Sequence, residues 1–412
     1  MKTKLSIFLL GITLFGVFAI GHAETNHYPW LTRVYDYNPA PGQFINTLPA
    51  YEVGEPKDSV IDRCRQNICG HIDTIVTTFH GETHTRIDTV WSESMISLGG
   101  YGGSVIVGFD HPVVNQHTYD FEILGNAFVA ARESKGGSCE PGIVMVSRDV
   151  NGNGLPDDPW YELAGSEYHK PKTQHNYEIT YYRPDENKTP EGSGYLNDTT
   201  YIRWTSNDCL NPDSTSGYMA KNVFHSQSYW PQWETGETLT FKGTKLPCNA
   251  VDLGNNGGNS YFVQYFFDWG YVDNLPNEPT HASAGDDYNN EHLYNPGFKL
   301  DWAVDQNGNP VYLPQIDFIK IYTAENQYCG WLGETSTEVA GGIDFHPEAT
   351  VVEVRGDVNG DGSLDVSDVT CLTNIILHNS TAPYNPFEAD ANGDGITNVS
   401  DVTELINLIL GN

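Results

Sequence analysis

Two related stretches close to the C-terminus are Asp357-Val-Asn359-Gly-Asp361-Gly-Ser363-Leu-Asp365-Val-Ser-Asp368 and Asp390-Ala-Asn392-Gly-Asp394-Gly-Ile396-Thr-Asn398-Val-Ser-Asp401. Each places side-chain oxygens at loop positions 1, 3, 5, 9 and 12, and position 7 offers its backbone carbonyl. Glycine at position 6 permits a sharp turn. The spacing suits Ca²⁺, a hard cation that takes six to eight oxygen ligands. Both stretches end in Asp, where an ordinary EF-hand loop has Glu.

Each loop is followed by apolar residues at helical spacing: Val369, Leu372, Ile375 and Ile376 in the first copy, and Val402, Leu405, Ile406 and Ile409 in the second. The predicted unit is therefore a loop followed by a helix, twice, with no helix before the first loop. Residues 355–412 resemble a type I dockerin, which implies Ca²⁺-dependent folding and a cohesin partner. A calcium-stabilised cap with no partner is the alternative.

The resemblance also assigns residues to the cohesin contact. Loop positions 10 and 11 touch cohesin in dockerins, and here they are Val366-Ser367 and Val399-Ser400. Because the two pairs are identical, we expect symmetric binding in which either repeat can face the partner.

The N-terminus has the pattern of a secretory signal peptide. A short basic start is followed by an apolar run from Leu5 to Ile20, and Gly21-His-Ala23 supplies small residues before a cleavage site. The run is shorter than the ~20 residues that span a bilayer. We therefore expect residues 1–23 to be removed and the mature bacterial chain to be secreted or associated with the cell surface, without membrane insertion.

The chain is strongly acidic, with 54 Asp and Glu against 21 Lys and Arg and a formal charge of −33. Such a surface repels nucleic acid and anionic membranes. Seven cysteines are present. Export permits disulfides, and Cys64–Cys69 and Cys209–Cys248 are the two candidate pairs. Cys371, on the first predicted helix of the tail, is expected to be a buried thiol.

Residues 24–350 read as one large β domain with long loops. Glycine, proline and aromatic residues are frequent, and short apolar or alternating runs are separated by turn residues. The predicted strands are 104–109, 119–124, 142–147, 177–182, 239–241 and 318–322. The predicted fold is thus mainly β, a jelly-roll or β-sandwich followed by the small α-helical tail. Residues 64–94 are predicted to form an extended insertion before the core.

Several motifs follow one another along the β domain: Ser97-Leu-Gly-Gly-Tyr-Gly-Gly-Ser104, Gly108-Phe-Asp110, Tyr119-Asp-Phe121, Asn126-Ala-Phe128, Glu140-Pro141 and Ala340-Gly-Gly-Ile-Asp344. In this order they resemble a family of secreted bacterial surface proteins of poorly defined function, which implies a jelly-roll fold. The sequence departs from the family pattern at Gly125 and at His346.

A third calcium-like stretch lies inside the β domain. Asp149, Asn151, Asn153 and Asp157 repeat the oxygen spacing between two predicted strands. A bound Ca²⁺ would fix this hairpin connection. The alternative is an Asn/Gly turn without an ion.

Sugar binding needs flat aromatic faces, together with amide and carboxylate groups for the hydroxyls. The richest stretch is 218–233, with Tyr229, Trp230 and Trp233 as candidate ligand-binding residues, and Trp269 belongs to a second cluster. Trp204 and Trp331 are further candidates. Core packing is the competing explanation for each of these residues.

Catalysis is left open by the sequence. A glycosidase needs two nearby carboxylates, and Glu122 and Glu140 are the candidates, with Asp120 and Glu162 in the same region. We find no nucleophile elbow, zinc helix or phosphate loop. The sequence favours an exported glycan-binding protein that docks through its tail. A dockerin-bearing glycoside hydrolase is the first alternative, and a surface nutrient-capture protein for a non-sugar ligand is the second.

Overall fold

The computed structural model describes residues 27–79, 82–90, 94–130, 135–254, 260–277, 293–379 and 382–411. The predicted signal peptide lies outside these residues. More of the described residues lie in strands than in helices, and the paired strands are antiparallel. The prediction of a mainly β fold with a helical tail is confirmed.

A six-stranded antiparallel sheet, hereafter the central sheet, organises the β domain. In spatial order its strands are Arg33–Asn38, Ser104–Gly108, Phe318–Thr323, Gly142–Ser147, Trp160–Leu163 and Ala303–Val304. Alternating side chains divide between its two faces, as the pleat requires. Val144, Val146, Ile319 and Ile321 enter the largest core cluster, while Ile143 and Tyr322 enter a cluster on the other face.

A four-stranded sheet, the outer sheet, covers one face of the central sheet. Its strands in order are Ser216–Asn222, Leu196–Ser206, Gln174–Tyr182 and Thr238–Lys245. The two sheets meet where the Thr244 N–H donates to the Tyr322 hydroxyl over 3.0 Å and the Tyr181 hydroxyl donates to the carbonyl of Tyr101 over 3.3 Å. This contact forms the β-sandwich.

The glycine-rich turn at 97–104 brings the two sheets into close contact. Gly102 has φ +85°, and a Cβ on it would lie 2.2 Å from the Cβ of Phe241 in the outer sheet. A Cβ on Gly103 would lie 1.8 Å from the carbonyl oxygen of Leu98. The turn therefore needs glycine for backbone freedom and for space.

The opposite face of the central sheet is covered by helix α1, Lys57–Ile68, and by short strand pairs. Val60, Cys64 and Ile68 are the buried residues of α1 and lie on one side of the helix. The short pairs are Ile96–Ser97 with Glu338–Val339, Val113–Val114 with Gln315–Ile316, and Phe121–Leu124 with Gly341–Asp344. Our sequence interpretation did not contain α1.

The remaining elements extend the β domain. A hairpin joins His71–Phe79 to Glu82–Val90, within the segment predicted as an extended insertion. A second four-stranded sheet contains Ala250–Asp252, Phe262–Tyr265, Gly136–Ser138 and Phe128–Val129. Single 3₁₀ turns lie at Pro212–Ser214, Leu300–Trp302 and Gly330–Leu332. All seven cysteines, including both predicted pairs, are free thiols, and Cys371 is half-buried.

The tail contains helices α2 (Val366–Ile376), α3 (Pro386–Ala389) and α4 (Val399–Leu410). Val358, Leu372, Ala389, Ala391 and Leu405 form its own small buried core. No helix in the described ranges combines the length and the apolarity needed to cross a bilayer.

Candidate functional site

The two C-terminal loops have the same internal hydrogen bonds. The carboxylate of Asp357 accepts the N–H of Asp361 over 3.0 Å and that of Gly362 over 2.8 Å. In the second loop Asp390 accepts the N–H of Asp394 over 3.1 Å and that of Gly395 over 2.7 Å. These bonds wrap the chain around the first ligand position and turn the side chains of each loop inward.

Position 12 closes each loop and also caps the helix that follows it. Asp368 accepts the N–H of Asn359 over 3.1 Å and that of Asp365 over 2.9 Å, and Asp401 makes the two equivalent bonds in the second copy. Both carboxylates are third residues of helices with complete capping boxes. Asp at this position therefore serves both the loop and the start of the helix.

The donor set fits Ca²⁺. The first loop brings together four carboxylates, those of Asp357, Asp361, Asp365 and Asp368, and no described Lys or Arg forms an ion pair with any of them. Burial and the neighbouring carboxylates of Asp368 and Asp361 raise the pKa of Asp357. A divalent cation bound among these oxygens would relieve the repulsion and would match the oxygen preference of calcium.

Residues 355–410 match the family model of the dockerin type I domain. The C-terminal segment is a type I dockerin. Such a module binds Ca²⁺ and docks onto a cohesin, so the predicted cofactor is confirmed and docking is the role of this end of the chain. None of the curated proteins compared with the chain matches it.

The dockerin packs directly against the β domain. Phe387 joins the largest core cluster of the β domain and packs edge-on against Tyr161, with ring centroids 6.0 Å apart. The guanidinium of Arg148 lies 5.1 Å from the centre of the Phe387 ring. Tyr384 packs on the core clusters of both units. The two units therefore share apolar contacts in addition to the linking chain.

The third calcium-like stretch forms the predicted hairpin connection, between the paired strands Gly142–Ser147 and Trp160–Leu163. Its hydrogen bonds follow the dockerin pattern. Asp149 accepts the N–H of Asn153 over 3.0 Å and that of Gly154 over 2.8 Å, as the first residue of each dockerin loop does. Asp157 accepts from the amide groups of Asn151 and Asn153, so its carboxylate also faces the loop.

The structure corrects two of the four predicted ligand-binding residues. Tyr229 is 0% and Trp230 is 1% exposed, so both are core residues and neither can stack on an external sugar. Trp233 is partly buried against Tyr37 and Tyr51. Trp269 is 36% exposed and packs against Trp302.

Other aromatic residues line a pocket between the glycine-rich turn and the outer sheet, hereafter the aromatic pocket. It encloses about 100 Å³. Trp204, Tyr218 and Tyr328 are exposed or half-exposed, and Tyr101 and Tyr181 are buried. Trp204 can lie flat because its cross-strand neighbour is Gly217, where a Cβ would be 2.5 Å from the indole ring. Trp204 was a candidate from the sequence, and the tyrosines at 101, 181 and 328 were not.

Two buried glutamates also line the aromatic pocket. Glu325 is 0% and Glu334 is 7% exposed. Oε1 of Glu325, Oε2 of Glu334 and the hydroxyl of Tyr101 have no hydrogen-bond partner among the described residues. Leaving such a group unpaired costs about 1–3 kcal/mol. Buried polar atoms without partners beside a pocket with aromatic walls are groups that an ordered water or a polar ligand would satisfy.

The protonation state of Glu334 determines which hydrogen bonds the aromatic pocket can offer to a ligand. Burial raises the pKa of Glu334 to about 8, and burial also raises the pKa of Glu325. A protonated carboxyl group both donates and accepts hydrogen bonds. The pocket therefore matches a neutral ligand rich in hydroxyl groups.

The two predicted catalytic residues do not line this pocket. Glu122 is 1% exposed in the strand Phe121–Leu124. Glu140 groups with Asp273 and Glu338, and carboxylate oxygens of the three lie within 4.8 Å of one another. Burial raises the pKa of Glu140 to about 7 and raises those of Asp273 and Glu338. Of the two catalytic candidates from the sequence, Glu122 is thus buried within a strand, and Glu140 belongs to a cluster of carboxyl groups that does not include Glu122.

A larger cleft of about 530 Å³ lies at another junction of the two sheets. It is lined by Trp160, Glu162, His175 and Asp305, among others. Glu162 accepts a hydrogen bond from the Thr244 hydroxyl over 2.7 Å, and burial raises its pKa to about 7. The volume lies within the range of small-molecule sites.

Proposed function

We propose that this chain is an exported glycan-binding protein that its calcium-loaded dockerin attaches to a cohesin-bearing scaffold or surface protein. The observation that carries the glycan part is the aromatic pocket, where exposed rings adjoin two carboxyl groups with unpaired oxygens. Sugars need both features, because their C–H faces stack on rings and their hydroxyls need polar partners. The dockerin match supports the docking part.

The test is binding of the full chain, saturated with Ca²⁺, to a glycan array, followed by calorimetry with the best-bound glycan. Replacing Trp204 or Tyr218 by Ala should weaken binding by about tenfold or more, since truncating a central aromatic contact typically costs more than 1 kcal/mol. Tyr261→Ala is the matched control, because Tyr261 is 39% exposed but does not line the pocket.

Replacing the pocket carboxyls tests the polar half of the site. Glu334→Gln keeps a neutral donor and acceptor, so binding should persist, whereas Glu334→Leu removes both and should abolish it. If no glycan is retained while a non-sugar nutrient is, the surface nutrient-capture alternative replaces the glycan proposal.

A glycan-degrading hydrolase is the second candidate, and the 530 Å³ cleft is the observation that favours it. Glu162 and Asp305 both line this cleft, and a carboxyl with a pKa of about 7 suits a general acid. Reducing-sugar release that is lost in Glu162→Gln, and retained in Glu122→Gln, would place hydrolysis in this cleft. Absence of release from plant and host polysaccharides would leave binding as the function.

We further propose that Asp149, Asn151, Asn153 and Asp157 hold a third Ca²⁺. Their support is the hydrogen-bond pattern that the loop shares with the dockerin loops. Calorimetric titration should then count three calcium ions per chain, and Asp149→Ala should reduce the count to two. A count of two in the native chain would contradict this third site.

A further inference from the structure

The two repeats of the dockerin have the same residues, Val-Ser, at loop positions 10 and 11. Val366 and Val399 occupy the same loop position and are 69% and 72% exposed. Each is followed by a serine whose hydroxyl donates a hydrogen bond to the side-chain oxygen of the residue at loop position 9, Asp365 or Asn398. Taken alone, the module offers two similar surfaces to a partner.

The first face borders the β domain. Ser367, Thr370 and Asn374 line one wall of a cleft of about 710 Å³, and His117, Asp301 and Tyr312 belong to the opposite wall. The rings of His117 and Tyr312 are stacked, with centroids 5.7 Å apart, and Nδ1 of His117 lies 3.0 Å from Asp301. This wall is therefore an ordered part of the β domain.

Two equivalent glycines show the difference between the loops. Gly360 and Gly393 occupy loop position 4, with φ +72° and +73°. A Cβ on Gly360 would lie 2.5 Å from the Tyr312 ring, whereas a Cβ on Gly393 would meet nothing within 4 Å. The β domain thus stands against the first loop, and the described structure leaves the second loop open at this position.

The exposed side chains also differ between the helices. Val399, Ile406 and Leu410 of α4 are 72%, 41% and 66% exposed and recur along one side of the helix. In the first repeat the corresponding residues are Val366, Thr373 and Leu377, and Leu377 follows the end of α2 and is 59% exposed. The second repeat therefore has one more exposed apolar side chain on this face, that of Ile406.

We propose that cohesin binds this chain through the second repeat, on the face that contains Val399, Thr403 and Ile406, because the β domain obstructs the first. A stable protein interface buries roughly 800 Å² on each partner. The cleft between the first repeat and the β domain has a volume of about 710 Å³, which is the size of a small-molecule site and not of a folded domain. The proposal rests on cohesin docking, and it replaces the symmetric binding expected from the repeated Val-Ser pairs.

The first test measures access and needs no cohesin. Thr370→Cys and Thr403→Cys place a thiol at the same exposed position of each repeat, in a background where Cys209, Cys248 and Cys371 are replaced by Ser. Both should react alike with N-ethylmaleimide. With a maleimide carried on a short linker by a folded protein domain, Thr370→Cys should react at least about tenfold more slowly than Thr403→Cys. Equal rates with the large reagent would overturn the proposal, whatever the outcome of a binding assay.

The second test uses binding to a purified type I cohesin domain that captures the native chain. Val399→Asp should lower affinity by about a hundredfold, and Val366→Asp by less than about threefold. Both place Asp in the first turn of a helix, where it favours folding, so the pair is matched. Equal loss from the two variants would contradict the proposal.

A third variant separates obstruction from intrinsic preference. Tyr312→Ala combined with Phe387→Ala removes contacts between the dockerin and the β domain. In that background the large reagent should reach Thr370→Cys at a rate close to that of Thr403→Cys. Persistent slow labelling would show that the β domain is not the obstacle.

Discussion

At the scale of single residues, buried carboxyl groups dominate the chemistry of the β domain. Glu140, Asp273, Glu325, Glu334 and Glu338 all have raised pKa values because burial disfavours the charged form. Glu140, Asp273 and the segment that carries the other three are far apart in the chain, and only folding brings Glu140, Asp273 and Glu338 together. Sequence reasoning could identify Glu140 in its Glu-Pro motif but could not see which carboxyls would surround it.

These carboxyls predict how stability varies with pH. An unfolded glutamate has a pKa near 4.3, whereas Glu334 in the folded chain has a pKa of about 8. Between about pH 5 and pH 8 the folded chain keeps a proton that the unfolded chain has lost, so stability falls as pH rises. Thermal unfolding in saturating Ca²⁺ should show this fall, and Glu334→Gln should reduce it. An unchanged pH dependence in the variant would contradict the raised pKa.

At the scale of elements, pattern and spacing predicted the strands and the tail. The strands Gly142–Ser147 and Phe318–Thr323 lie where alternating or apolar runs placed them. Helix α1 was missed although Val60, Cys64 and Ile68 recur at intervals of four, because most of its other residues are polar and its apolar stripe is short. Tyr229 and Trp230 were misassigned because aromatic composition does not distinguish a ligand platform from a core.

The aromatic pocket shows a second limit of sequence reasoning. Its walls come from the turn at 97–104, from strands of the outer sheet and from residues 325–335. Glu325-Asn-Gln-Tyr328 begins two residues after the end of the largely apolar strand Phe318–Thr323, and this change from apolar to polar was the available indication. The pairing of distant strands determines which residues join them, and no local pattern carries that information.

The two equivalent loop glycines provide a matched prediction. Alanine at Gly360 or Gly393 would have to adopt a left-handed conformation, which costs about 1 kcal/mol in either loop. Gly360→Ala would also clash with Tyr312, so it should lower the thermal stability of the dockerin more than Gly393→Ala does. Tyr312→Ala should remove the difference. Equal destabilisation by the two glycine variants would show that the first loop does not press on the β domain.

At the scale of the whole molecule, two units of very different core size are joined. The largest cluster of the β domain contains many buried residues, whereas the dockerin core has five. So small a core seldom holds a fold without metal, disulfide or partner. Calcium therefore contributes to the folding of one unit and much less to that of the other.

Chelation should separate the two units. Excess chelator should remove the far-ultraviolet circular dichroism of α2 and α4 and open the dockerin to protease, while the β domain still unfolds cooperatively on heating. Restoring Ca²⁺ should restore the helical signal. A spectrum and a digestion pattern that do not change in chelator would show that the module folds without its ions.

The packing of Phe387 and Tyr384 against the β domain has a consequence for assemblies of several chains. A domain on a loose tether samples many orientations, and its effective concentration near a target depends on tether length. Here shared aromatic contacts hold the β domain at a set angle to its attachment point. Copies arrayed along one scaffold would thus all present their aromatic pockets in a common direction. If these pockets bind glycan as proposed, that arrangement favours binding to an extended, regularly repeating polymer over binding to scattered short chains.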